Sequence, residues 1–146
     1  MNRHSLTLHS TLATLPTIAQ TLLQNGGSER IWLLEGEMGA GKTTLIRELC
    51  AQLGVQDNVH SPTFSLVHEY ATATGGPIYH FDFYRIAHEE EALDLDCTAY
   101  FESGSYCFIE WPTKIKHLHP AKYCRVNITT QSASQRTLQV TLCNEQ

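Results

Sequence analysis

Gly36-Glu37-Met38-Gly39-Ala40-Gly41-Lys42-Thr43 reads G-x-x-x-x-G-K-T, and what flanks it decides the fold. Before it runs Ile31-Trp32-Leu33-Leu34, a continuous apolar stretch suited to a strand buried on both faces. After it, Leu45, Ile46, Leu49 and Leu53 recur at helical spacing, and Gly54 closes the pattern as a C-terminal glycine does. Strand, glycine-rich turn and helix is the setting in which the string becomes a phosphate site. Glycines permit a tight curl that aims successive backbone N–H groups inward, and the helix adds its free amides and positive dipole end. Lys42 is a mobile charge for the β- and γ-phosphates, and Thr43 offers a hydroxyl to a bridging magnesium ion, with Thr44 behind it. A helix-capping loop accounts for one or two glycines, but not for three with a Lys-Thr pair.

The 146 residues suffice for one domain with a real core, and no second domain or linker is expected between residues 1 and 146. No apolar run is long enough to span a membrane, and Met1 to Thr7 lacks the apolar centre of a signal peptide. The five cysteines are scattered without C-x-x-C spacing, which points to free thiols in a reducing cytoplasm. The eight histidines are dispersed and give no ligand pairing, so a histidine metal site is not expected. A net charge of −5, with only ten Lys and Arg and no cluster of them, argues against autonomous binding of RNA or DNA.

Coarse patterning predicts a strand over Ser5–His9 and a helix from a Ser10 cap to about Gln24, with Leu12, Leu15, Ile18, Ala19 and Leu22 on one face. Pro16 interrupts that span and should delay or kink the helix. A hairpin is expected from Phe64–Tyr70 and Ile78–Phe81, then a short helix over His88–Leu95 and an apolar strand over Tyr106–Ile109. Cys124–Thr129 and Thr137–Leu142 form a terminal hairpin. The fold class is α/β: a P-loop NTPase-like central mixed sheet flanked by helices, with antiparallel strands at the edge.

A phosphate loop needs an acidic partner for its magnesium at the end of a neighbouring strand. Asp82 and Glu110 each follow an apolar strand and project where ligands of open α/β sheets lie. His60-Ser61-Pro62-Thr63 occupies the place where nucleotide switches carry a γ-phosphate-sensing threonine, or is an ordinary turn before a strand. Arg85 either approaches phosphate or pairs with Glu89, and Trp111 either packs or faces a partner.

Together the P-loop, Ser61-Pro62-Thr63-Phe64, His80-Phe81-Asp82-Phe83-Tyr84-Arg85 and Ile109-Glu110-Trp111, in that order, resemble the TsaE (YjeE) family, the small ATPases of bacterial tRNA threonylcarbamoyladenosine biosynthesis. The resemblance runs from Leu33 to about Leu142. It implies ATP and Mg2+ as ligands. Gly39, Ala40, Gly41, Lys42, Thr43 and Thr44 would wrap the phosphates, and Thr11 and Arg136 would add nucleotide contacts. Thr43 and Glu110 would bind magnesium. Lys42, Asp82 and Thr63 would serve catalysis, Asp82 close to the γ-phosphate. It further implies TsaB and TsaD as partners, with tRNA met only through them. The chain departs from the family at Ser10–Pro16, where a proline stands, and at Asp96, where glycine is usual; Asp96 tolerates a left-handed backbone. The alternative enzyme is a small P-loop kinase of a metabolite, which usually carries an arginine-rich lid. Only Arg125 and Arg136 follow Glu110 here. A GTPase is disfavoured, since no N-K-x-D motif occurs.

Overall fold

The computed structural model describes residues 2–62, 65–73 and 75–144, with side chains from Ser5 onward. Seven strands form one sheet: β1 (Asn2–Ser10), β2 (Ile31–Glu35), β3 (Val67–Tyr70), β4 (Ile78–Asp82), β5 (Cys107–Glu110), β6 (Lys122–Thr130) and β7 (Arg136–Asn144). Their spatial order is β1-β7-β6-β2-β5-β4-β3. β4, β5, β2 and β6 run parallel, while β3 pairs antiparallel with β4 at one edge and, at the other, β7 pairs antiparallel with both β6 and β1. The mixed sheet with antiparallel edges is the architecture the sequence predicts.

β2 is central because it is apolar on both faces. Trp32 and Leu34 point to one side, under helices α1 (Leu15–Gly26) and α2 (Lys42–Gln52), where Ala19, Leu22, Leu45, Ile46 and Leu49 meet them. Ile31 and Leu33 point to the other side, under α3 (Glu90–Asp94), α4 (Cys97–Phe101) and the 3-10 turn Pro112–Ile115, with Phe81, Phe83, Ala92 and Ile115. From β2 the chain leaves through α2 on one face toward β3, and from neighbouring β5 it leaves through the 3-10 turn on the other face toward β6, in the opposite direction. Ligands of open α/β sheets bind at such a reversal, beyond the carboxyl ends of the strands.

Several boundaries differ from expectation. Ser10 ends β1 instead of capping α1, and the helix begins only at Leu15, with Pro16 in its first turn, where a missing N–H costs nothing. Leu12, expected on the buried face, is therefore 79% exposed. β1 is longer than the alternating stretch because all nine residues pair with β7. Phe64, the expected start of β3, lies outside the described residues; the strand is Val67–Tyr70. Cys97–Phe101 forms a helix that a five-residue segment gives no periodicity to reveal. Asp96, before it, does adopt the left-handed conformation, at φ 61°. The five cysteines are buried free thiols.

Gly26 shows how tightly α1 sits on the sheet: a Cβ there would lie 2.6 Å from Trp32 Cζ2, on a ring with no exposed surface. That ring is fixed by its Nε1–H, which donates to the Glu29 carbonyl at 3.1 Å. Helix propensity alone favours alanine over glycine by about 1 kcal/mol. Overpacking costs about 1–3 kcal/mol, so it prevails. Gly26→Ala should lower unfolding stability by about 1 kcal/mol, measured by urea titration. Unchanged or increased stability would contradict this packing.

Candidate functional site

The P-loop closes the gap between β2 and α2. Gly39 and Gly41 take φ values of 81° and 104°, a conformation that side chains resist. Gly41 stands at the helix cap and contributes no side-chain hydrogen bond, which leaves the first amides of α2 for an anion. Lys42 is 6% exposed. Its Nζ donates to the carbonyls of Gly36 and Glu37 and lies 4.1 Å from the centre of the Trp111 ring. Burial pushes the Lys42 pKa down, against the charges of Glu110 and Asp82.

Glu110 ends β5 and is 3% exposed. Thr43 Oγ1 stands 3.1 and 3.0 Å from its two carboxylate oxygens, Ser61 Oγ donates to Oε2 at 3.1 Å, and the two hydroxyls lie 2.6 Å apart. His80 Nε2 is 2.7 Å from the same Oε2. Burial alone would raise the Glu110 pKa. The hydrogen bond and charge of His80, with the Thr43 and Ser61 hydroxyls, outweigh it and hold the group below the usual carboxylate range.

Asp82 ends β4 in register with Glu110. Its Oδ1 accepts the Tyr84 N–H at 3.0 Å. Burial lifts its pKa, with the Glu110 charge acting in the same direction; the Tyr84 N–H, His80 and Lys42 oppose. Two strand-end carboxylates of one cleft thus differ: Glu110 is supplied with donors, and Asp82 is harder to ionise.

The cleft has two parts joined at Gly39, Gly41 and Thr44. One, about 260 Å³, holds Lys42, Thr43, Ser61, Asp82 and Glu110. The other, about 460 Å³, is largely apolar, with Leu15, Leu45, Ile128 and Leu138 as walls and Thr11, Ser134 and Arg136 as polar groups. Such a pairing of a phosphate-sized polar pocket with a larger apolar one suits a nucleotide. Thr11 and Thr14 exchange hydrogen bonds between backbone N–H and hydroxyl at 2.9 and 3.3 Å, which shapes the turn before α1. Arg136 Nε donates to the Ala40 carbonyl at 3.0 Å and Nη1 to the carbonyls of Ser132 and Gln135, so the arginine braces the P-loop from β7.

Sequence reasoning placed Lys42, Thr43, Thr44, Asp82, Glu110, Thr11 and Arg136 around this cleft, and the structure brings them together. Thr63 lies outside the described residues. Arg85 is exposed and does not line the cleft, and Glu89 accepts from the His117 backbone and ring rather than pairing with Arg85. The histidines are not all dispersed: His60, His68 and His80 converge on Tyr70. His80 sits two residues before Asp82 on the same face of β4, and that alternation was the available signal. Trp111, expected to pack or to face a partner, packs. Its left-handed backbone, φ 57°, turns the ring over Lys42 and against Tyr84 at 4.9 Å.

On the cleft side, Thr43, Ser61 and Glu110 itself present hard oxygens. Among the described residues no group of three His, Cys, Asp or Glu could hold a metal. One carboxylate and a threonine hydroxyl, joined by the oxygens of a bound phosphate, would make the kind of set magnesium takes, since it keeps waters and needs no all-protein cage.

The family profile described as "Threonylcarbamoyl adenosine biosynthesis protein TsaE" matches residues 9–138. The chain belongs to the TsaE family. Among relatives, a tRNA threonylcarbamoyladenosine biosynthesis protein TsaE of Haemophilus influenzae is 47% identical over 95 residues, 65% of this chain and 60% of its own length. One of Bacillus subtilis is 36% identical over 108 residues, 74% of this chain and 66% of its own. One of Rickettsia typhi is 38% identical over 122 residues, 81% of either chain. The chain thus spans less than two thirds of the first two relatives. The crystal structure of Bacillus subtilis YdiB superposes with a TM-score of 0.76 over 98% of this chain and 88% of that one; at 24% identity it shows a shared fold. Among the described residues no helix is long and apolar enough to cross a membrane.

Asp82 supplies a stability test. Its folded pKa lies above the unfolded one, so ionised Asp82 opposes folding. The penalty is absent below the ordinary value of 3.8 and complete above the raised folded value. Asp82→Asn keeps an acceptor for the Tyr84 N–H. It should melt higher than the parent at neutral pH, and the difference should close as pH falls below 3.8. A lower melting temperature at neutral pH would contradict the assigned sign.

Proposed function

We propose that the chain is a Mg-ATP-binding and hydrolysing subunit that supports threonylcarbamoyl transfer to the adenosine beside the anticodon of tRNA. The observation that carries this is the convergence of Lys42, Thr43, Ser61 and Glu110 at one mouth of the cleft, with Asp82 beside them. Family membership supplies the biosynthetic context.

In this reading ATP is the substrate. The P-loop amides and the first turn of α2 take its phosphates, and the apolar cleft beside Thr11 and Arg136 takes the nucleoside. Lys42 exchanges its carbonyl partners for the β- and γ-phosphate oxygens, where its charge favours the transition state. Thr43 and Glu110 hold the magnesium. Magnesium, when bound, neutralises phosphate charge and polarises the bond to be broken. Asp82 orients the attacking water at the γ-phosphate. Its role lies in the transition state more than in binding. Thr63 is proposed as the phosphate-sensing member of the switch segment. TsaB- and TsaD-like proteins are the proposed partners, tRNA is contacted through them, and the setting is the cytoplasm. The acidic balance of the chain, −5, accords with leaving the polyanion to partners. No observation favours a metabolite kinase: Arg125 and Arg136 lie within β6 and β7, and Arg136 holds the P-loop.

Three variants test the assignment of roles. Lys42→Ala should fold and lose hydrolysis by about a hundredfold or more, the usual effect of removing a transition-state donor. Asp82→Asn should bind nucleotide as the parent does and lose the hydrolytic step in single-turnover assays. Glu110→Gln should lose the magnesium dependence of nucleotide affinity in calorimetry. Unchanged turnover in Lys42→Ala would overturn the ATPase reading; loss of magnesium dependence in Asp82→Asn but not Glu110→Gln would invert the two carboxylates.

A further inference from the structure

Behind Glu110, away from the cleft, runs a chain of polar side chains that the proposed chemistry does not use. His80, with no exposed surface, puts Nε2 2.7 Å from Glu110 Oε2 and Nδ1 3.2 Å from the Tyr70 hydroxyl. Tyr70 is 4% exposed, and its hydroxyl donates to the His60 carbonyl at 2.9 Å. The next residue is Ser61, whose own hydroxyl returns to Glu110 Oε2 at 3.1 Å. The path Glu110–His80–Tyr70–His60–Ser61–Glu110 is therefore a closed ring.

The ring treats the two oxygens of Glu110 differently. Oε2 lies within hydrogen-bond reach of His80, Ser61 and Thr43, at 2.7, 3.1 and 3.0 Å; Oε1 has Thr43 at 3.1 Å. With Glu110 ionised, as a cation ligand is, proton counting fixes the direction at His80. A carbonyl oxygen only accepts, so the single Tyr70 proton goes to His60 O or to a ring nitrogen. If it goes to His80 Nδ1, the other nitrogen carries the ring's proton. If it goes to His60 O, Nδ1–H donates to the tyrosine oxygen, and Nε2 still needs a proton to face an ionised carboxylate at 2.7 Å. In both arrangements Nε2–H points at Oε2.

We propose that His80 is a positioning residue for the metal-binding carboxylate: Nε2–H anchors Oε2 so that Oε1 is presented to the cation, and Tyr70 locks the histidine ring while tying it to the backbone just before Ser61. The segment carrying Ser61 and the metal carboxylate are thereby set by one hydrogen-bonded ring, and displacing either disturbs the other. Outer partners of metal ligands act in this way, orienting the ligand without touching the ion. The proposal rests on the magnesium-dependent reading of the site. The bland role for the same residues, a satisfied polar cluster in the core, predicts lower stability and no change in the response to magnesium.

The test is the affinity for ATP in the presence of magnesium and in EDTA, measured by calorimetry on the full chain, with melting curves to establish folding. His80→Phe fills the space without a donor, and His80→Gln returns an amide N–H near the Nε2 position. The tightening of ATP by magnesium should fall by about tenfold or more in His80→Phe. It should stay close to the parent in His80→Gln and fall in Tyr70→Phe, while affinity in EDTA stays unchanged in all three. Nitrogen-15 spectra of the ligand-free parent should show a proton on His80 Nε2. A folded His80→Phe with the parent's magnesium response would overturn the positioning role, as would a Gln variant no better than Phe or an unprotonated Nε2. If His80→Phe fails to fold, Tyr70→Phe decides alone, since it removes one hydroxyl and keeps the ring. A parent protein whose ATP affinity ignores magnesium, with Nε2 protonated, would instead sink the metal-dependent reading of the site.

Discussion

A carboxylate buried at the end of a central strand is the constraint around which this molecule is arranged. Removing an ion from water costs several kcal/mol after relaxation, unless other groups replace the solvent. Glu110 is 3% exposed and is met by two hydroxyls at 3.0 and 3.1 Å and an imidazole at 2.7 Å. Those partners come from α2, from the segment before β3, and from β4, so burying one charge ties three separate parts of the chain together. The parallel register places Leu34, Glu110 and Asp82 side by side at the carboxyl edge of the sheet, where β2 turns into the P-loop. The site is thus a consequence of strand order.

The same arrangement gives two carboxylates different characters. Asp82 lies one strand further out, accepts one backbone N–H, and pays for partial burial with a raised pKa. Glu110 is fully supplied with donors and stays ionised. A group that must remain charged suits a cation ligand, and one less willing to ionise suits a transient role at a reacting phosphate. Lys42, buried in the same cleft, is held on carbonyls and beneath Trp111, uncharged partners that anionic phosphate oxygens can replace.

Much of this was legible in the chain. The P-loop, the buried strand before it and the acidic ends of Ile78–Phe81 and Tyr106–Ile109 located the site, because hydrophobic runs and turn glycines report local structure directly. What sequence could not supply was lateral. The pairing of β1 with β7 extends a weakly alternating segment through nine residues, and no local pattern reveals a partner more than a hundred positions away. Ser10 had the right chemistry for a cap, but its strand register prevailed over that local preference. The meeting of His60, His68 and His80 at Tyr70 depends on the β3–β4 hairpin and on the loop crossing it, so histidines that look scattered along the chain share one network, buried at Tyr70 and His80 and reaching the surface at His60. Trp111 reached Lys42 through a left-handed backbone that its residue type gave no reason to expect.

The most direct test of the central claim, that Thr43 and Glu110 form the cation side of a nucleotide cleft, is a crystal structure with magnesium and a non-hydrolysable ATP analogue. The account predicts magnesium on Thr43 Oγ1 and joined to Glu110 directly or through one water, Asp82 nearer the γ-phosphate, and the nucleoside in the cleft beside Thr11 and Arg136. A magnesium ion held by Asp82 with Glu110 still locked on its hydroxyls, or a nucleoside lying outside that cleft, would contradict it.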